Sequence, residues 1–178
     1  MEEAKSPLTF DAQLRTMRII HLALCTGVVV LAGVLIFVRT RQPREPADMP
    51  TLVPVGAVLT AAALGMAAFL PGATAAGFRR RMRDGALPPW LPPALAADPE
   101  ALLRAQYQVV LLQRCAPLEG AAFYWLIVYF LENQPAFLGA AGGLLVLLLL
   151  QFPTRRGVHA FVERQRELIE QEKQDLAG

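Results

Sequence analysis

Residues 113–131 read QRCAPLEGAAFYWLIVYFL, an apolar run that carries Arg114, Pro117 and Glu119 in its first two turns. Its length suits a bilayer core about 30 Å thick, which takes roughly 20 apolar residues per spanning helix. Its polar start needs an explanation. An acid or base at the centre of such a helix costs about 2.5–3.5 kcal/mol on insertion scales, so Glu119 has to be neutral, paired or next to water. If the span begins at Leu112, Glu119 lies roughly 10 Å inside the boundary. Arg114 is close enough to the edge to extend its charged head to the interface.

Three further stretches are of similar character, and the spans fall at about 19–38, 52–73, 112–131 and 137–152. With 54% hydrophobic residues and a mean hydropathy of +0.39 over 178 residues, the chain is too apolar for an ordinary soluble domain. The fold class expected is an all-α membrane protein: a four-transmembrane-helix bundle of two hairpins, with short interfacial helices and a C-terminal amphipathic helix. Two units follow, a membrane domain over 1–153 and a cytoplasmic helix over 154–178.

The 17 basic residues set the orientation. With both termini in the cytoplasm, thirteen of them fall in cytoplasmic segments and three in outer loops, with Arg114 at the inner edge of its span. The opposite orientation reverses the bias, so the positive-inside rule places both termini in the cytoplasm. Acidic Glu2 and Glu3 precede the first base and the first apolar run is long, which reads as a retained span and not as a cleaved signal. The location expected is the inner (plasma) membrane of a bacterium. The preference for Arg over Lys, 15 to 2, fits a GC-rich source.

Along the chain, Ser6 and Pro7 suit a helix start, and the first loop is stiffened by Pro43, Pro46 and Pro50. Span two carries Ala57, Ala61, Gly65 and Ala68 near one face, a small-residue spacing that lets another helix approach closely, so this helix is expected to be packed. Pro71 and Gly72 offer a kink before FRRRMR, whose Arg79, Arg80, Arg81 and Arg83 are expected among lipid headgroups at about 1 kcal/mol each. PPWLPP around Trp90 is non-helical and suits the interface. Asp98, Pro99 and Glu100 form a strong helix start. The five residues 132–136 make spans three and four antiparallel neighbours. In the tail, Val158, Phe161, Val162, Leu168, Ile169 and Leu176 form one apolar stripe. That stripe suits a homo-oligomer or protein partner, or docking on the chain itself.

For chemistry, Glu119, Arg114, His21 and Gln151 are placed at comparable depth and form a candidate intramembrane polar cluster, with Cys25 and Thr26 nearby. Arg114 and Glu119 are five apart, 140° on a regular helix, unless a kink at Pro117 alters the angle. The cluster suits either a proton or cation site centred on Glu119 or a structural lock in which the polar groups satisfy one another. Cys25 and Cys115 fall inside spans and suit small buried apolar residues. Two histidines, one outside the spans, cannot supply the facing pairs of a membrane cytochrome. No metal set, phosphate loop or nucleophile–base pair stands out, so no catalytic residue, metal or cofactor is expected. The basic runs lie beside spans, which makes the lipid bilayer their partner and excludes nucleic acid.

The stretch LLQRCAPLEGAAFYWLIVYFL resembles the third span of small four-transmembrane-helix bacterial membrane proteins of uncharacterised function, in which an Arg-containing turn is followed by Leu-Glu-Gly and then aromatics. The resemblance covers about 20 residues well and implies an architecture without an activity. The function expected is a non-enzymatic integral membrane protein that scaffolds or assembles through its cytoplasmic helix. The alternative is a small proton- or cation-coupled component that uses buried Glu119.

Overall fold

The structure, a computed structural model, describes residues 9–41, 52–85 and 98–175. The start at Ser6 and Pro7, the first-loop prolines, Trp90 with its flanking prolines, and Leu176 lie outside these residues. Five helices carry the described chain: α1 (Phe10–Arg41), α2 (Leu52–Arg83), α3 (Pro99–Glu132), α4 (Pro135–Leu150) and α5 (Arg155–Gln174). Among the described residues no strand is present.

The helix ends follow the sequence. Asp98 caps α3 with extended backbone, its carboxylate accepting from the amides of Glu100 and Ala101 at 2.9 and 3.0 Å, and Pro99 fills the first position, where a missing amide costs nothing. At its other end Asn133 adopts the left-handed conformation (φ 57°) and its amide donates to the Tyr129 carbonyl, a backbone state that asparagine tolerates better than most residues. Pro135 then opens α4. Only two residues therefore separate α3 from α4, fewer than the five expected, because each helix runs further than its apolar residues do. Thr154 caps α5 by accepting from the Gly157 amide at 3.1 Å. Both internal prolines, Pro71 in α2 and Pro117 in α3, are passed without a break in the helix.

α3 is the hub. α2, α4 and α1 each pack along it, α5 touches its first turns, and α1 also meets α4. The expected first hairpin is therefore not a packed pair: among the described residues α1 packs mainly on α3, with a lesser contact to α4. The core runs from Leu103 through Leu118 to Leu126 and Val128 on α3, and is closed by Met17 and Val28 of α1 and Leu148 of α4.

The buried seam of α2 is also displaced from the expected one. Gly56, Ala63, Pro71 and Ala75 face the core, whereas Ala57, Ala61 and Ala68 are exposed. The two faces differ by one residue, about 100° around the helix. A narrow seam of small residues lets α2 lie close to α3 while most of its circumference points outward.

What points outward is apolar. Val29, Val30, Val34 and Phe37 on α1, Val58, Leu59 and Phe69 (80% exposed) on α2, and Val146, Leu149 and Leu150 (76%) on α4 form a broad apolar exterior. α3 contributes only Val109 and Ile127. A soluble monomer rarely exposes apolar patches beyond a few hundred Å², so this exterior marks a membrane protein. Among the described residues, α1 and α2 are each long and apolar enough to cross a bilayer; a third candidate is α4 with α5, which meet at a 67° bend. Taken alone, the 16 residues of α4 reach about 24 Å, short of a hydrocarbon core of about 30 Å. The 32 residues of α1 or α2 reach about 48 Å, so their ends project beyond it.

α5 lies across one end of the helices, here termed the basal end, and ties three of them together. It meets α1 through the Arg155–Asp11 ion pair and a stacked Phe10–His159 ring pair at 4.5 Å. It meets α2 through Arg79, which donates to Glu172 at 3.1 Å and Gln165 at 3.0 Å. It meets α3 through Arg166–Glu100 at 3.0 Å and an edge-on Tyr107–Phe161 contact. Val158 and Val162 of the tail stripe are buried in the same core.

Candidate functional site

The polar residues singled out in the sequence separate into three places. The deepest is His21, 1% exposed. Its Nε2 lies 3.7 Å from the Cys25 sulfur, one turn on along α1, and its Nδ1 lies 3.7 Å from the Cys115 sulfur of α3. The edge of Phe152 closes the ring's surroundings at 5.5 Å between centroids. A neutral imidazole has one N–H donor and one acceptor, and a thiol can serve as either. The chain Cys25–His21–Cys115 therefore satisfies a buried histidine with no ionised partner. The two thiols face opposite ring nitrogens, so no single ion could be shared among the three. Among the described residues no group of His, Cys, Asp and Glu is arranged to hold a metal.

Glu119 lies about one turn further along α3, half-buried, and is near enough to both thiols for its charge to act on them. It lies against Gly27 of α1: a β-carbon there would come within 3.2 Å of the Glu119 Oε1 and 3.4 Å of the Phe123 ring. The bare backbone of Gly27 makes the room. Among the described residues no ion pair joins Glu119 to Arg114, and the uninterrupted helix keeps the two on different faces.

The third place is a cleft of about 220 Å³ between α3 and the corner where α4 gives way to α5. Arg114 and Gln151 both line it, with Tyr107 and Thr154. The Gln151 amide N–H closes α4 on the Leu148 carbonyl at 2.9 Å, while its side-chain Oε1 is buried without a hydrogen-bond partner. Thr26 is exposed and joins none of the three.

The arginine run is likewise divided. Arg79 turns inward to α5, Arg83 pairs with Asp84 at 2.9 Å, and Arg80 and Arg81 are exposed.

The chain matches no known family, no curated protein and no solved structure. Its chemistry is therefore read from its own geometry.

One cluster escaped the sequence altogether. Arg104, 7% exposed, donates from Nε to Gln13 at 2.7 Å and from Nη1 to Glu100 at 2.8 Å, and its guanidinium lies 5.9 Å from the Phe10 ring centre. Glu100 in turn receives Arg166. The i,i+4 spacing of Glu100 and Arg104 is a legible signal; the arrival of Gln13 from 91 residues away is not. The Cys25–His21 half of the buried chain is legible on the same grounds, and Cys115 is not.

Proposed function

We propose that the chain is a four-span inner-membrane protein with both termini in the cytoplasm, and that it acts without catalysis, as a scaffold or assembly factor, through the outer face of α5. The observation that carries this reading is the way α5 is held. Its apolar stripe is engaged by its own chain and its ion pairs reach α1, α2 and α3, so it is a fixed collar. Its other face, with Glu163, Arg164, Glu167, Glu170 and Lys173, is exposed. A rigid helix presenting charges of both signs suits a soluble partner recognised by electrostatic complementarity. α3 counts as a span in this reading because α1, α2 and α4 pack along it, while its exposed cation Arg114 lies near the edge of the span, where it can reach the interface.

Photo-reactive residues placed at Glu163, Glu167 and Glu170 in membranes of the native cell test it. One discrete crosslinked species from these positions, absent from lipid-facing Val30 and Val58, is expected. No species, or the same products from all positions, would end the proposal. The topology is tested separately with single cysteines: Glu170→Cys should be labelled from the cytoplasmic side and Asn133→Cys from the other.

A second reading, a proton- or cation-coupled component, draws on the placement of Glu119 against Gly27 without a paired base. Difference infrared spectroscopy of wild type against Glu119→Gln decides it. A carboxyl C=O band that titrates between about pH 6 and 8 would support this class. A carboxylate that stays ionised throughout would remove it.

A further inference from the structure

The cleft at the α3/α4/α5 corner is lined by hydrogen-bond donors. Arg114 points a guanidinium along its edge, is exposed, and has no ion pair among the described residues. Tyr107 and Thr154 add hydroxyls. Thr154 is also the N-cap of α5, so the first amides of that helix stand at the rim, where its dipole favours an anion. Close by, Arg18 donates to the Pro153 carbonyl at 3.3 Å and lies 5.8 Å from the centre of the Phe152 ring. Cations thus flank the corner, and the basal acids Asp11 and Glu100 are occupied by Arg155, Arg104 and Arg166.

The other wall is apolar and continuous with the exterior. Leu150 and Phe152 line the cleft and are themselves among the exposed apolar residues. At about 220 Å³ the space far exceeds the roughly 10–15 Å³ that one water requires.

We infer that this cleft binds a phosphate group, held by Arg114 and Tyr107 over the start of α5, and that its source is an anionic phospholipid headgroup whose chains lie along Leu150 and Phe152. The inference rests on the membrane reading of the chain and is independent of the scaffold role.

The test uses the full chain in detergent, titrated with dioctanoyl phosphatidylglycerol, dioctanoyl phosphatidylcholine and inorganic phosphate, with binding read by native mass spectrometry. Phosphatidylglycerol should bind at least tenfold more tightly than phosphatidylcholine. Arg114→Gln should lose about tenfold of that affinity, and Arg114→Lys less, because it keeps the charge without the fork. Arg164→Gln, an exposed arginine of α5 that does not line the cleft, should lose nothing. If inorganic phosphate binds with the same Arg114 dependence and displaces the lipid, the phosphate chemistry stands and the source widens to soluble anions. If Arg114→Gln does not fold, Tyr107→Phe serves in its place, with a two- to threefold loss expected and no change counting against the site. Binding of phosphatidylglycerol and of phosphate that ignores Arg114, or that falls equally in Arg164→Gln, overturns the inference. Membrane insertion is read from reconstitution into phosphatidylcholine alone, so a chain that inserts without preferring the anionic lipid refutes this site and leaves the membrane reading intact.

Discussion

Gly56 of α2 lies directly under the indole of Trp125 on α3. A β-carbon at Gly56 would stand 2.7 Å from the Trp125 Cη2 and 2.8 Å from a ring carbon of Tyr124. Both aromatics are fixed from other directions: Trp125 Nε1 donates to Thr60 at 2.8 Å and stacks on Phe137 at 5.4 Å, and the Tyr124 hydroxyl donates to the Leu52 carbonyl at 2.7 Å. Neither ring can withdraw without breaking a hydrogen bond. Gly56→Ala should therefore destabilise the α2/α3 contact by about 1–3 kcal/mol, the usual range for overpacking. Thermal unfolding in detergent checks this; Gly65→Ala, whose added β-carbon meets nothing within 4 Å, is the matched control and should unfold like wild type.

His21 lies between two thiols, with one ring nitrogen 3.7 Å from each sulfur. Cys25 and Cys115 are both buried, and in the folded chain they should resist alkylation by N-ethylmaleimide over hours. Removing the imidazole in His21→Ala opens a void between them. Alkylation of at least one thiol should then accelerate tenfold or more, read by intact mass. His21→Leu fills the space without a nitrogen and should leave both thiols protected. Equal acceleration in the two variants would show that the ring's hydrogen bonding, and not its volume, shields the sulfurs.

Arg104 is the pivot of the basal network, and its planar fork reaches Gln13 and Glu100 at once. Arg104→Gln removes the charge, takes the donor from Gln13 and leaves Glu100 with Arg166 alone. Because Glu100 is partly exposed, the loss should be about 2 kcal/mol, below the 3–5 kcal/mol of a fully buried pair. Arg104→Lys retains a cation but cannot serve both acceptors in one plane, so it should recover no more than half. Chemical denaturation of the purified chain would show either the graded loss or, if the two variants match, a role for the planar fork with no contribution from charge.

The features legible in the sequence are those written locally. Asp98-Pro99-Glu100 announces the start of α3, the short connection near 132–136 announces its reversal, and the apolar runs of α1 and α2 declare themselves by length. Choice of neighbour is written differently. Whether Gly56 and Ala63 or Ala57 and Ala61 face the core is a rotation of one residue. It is settled by Trp125 and Tyr124, seventy residues away. The same holds for His21, whose second thiol arrives on another helix. α5 shows the limit most clearly, since an apolar stripe fits a foreign partner as well as its own chain. What resolves it is the set of ion pairs from Asp11, Arg79 and Glu100, each on a different helix. The polar cluster expected around Glu119 dispersed for a related reason: equal depth along an axis does not place side chains on one face.

Asp98 links this architecture to pH. Its carboxyl is held below the ordinary aspartate value chiefly by the Ala101 amide, against an opposing effect of burial that comes next in size, with further help from the Glu100 amide and the nearby Arg104 and Arg166. A group whose folded value is depressed contributes stability that is present above its unfolded value, about 3.9, and is lost as pH falls through the folded value. The contribution should therefore be intact from neutral pH down to about 4 and decline below it. Asp98→Ala should cost about 1 kcal/mol at pH 7, as loss of an N-cap does. Asp98→Asn keeps an acceptor oxygen for the cap but no charge, so it should cost less and should not share the acid-dependent decline. Unfolding temperatures of wild type and Asp98→Asn, measured in detergent from pH 7 to pH 3, make the comparison. The gap between them should narrow toward pH 3; a gap that stays constant would show that the carboxylate's charge contributes nothing and that the cap acts through geometry alone.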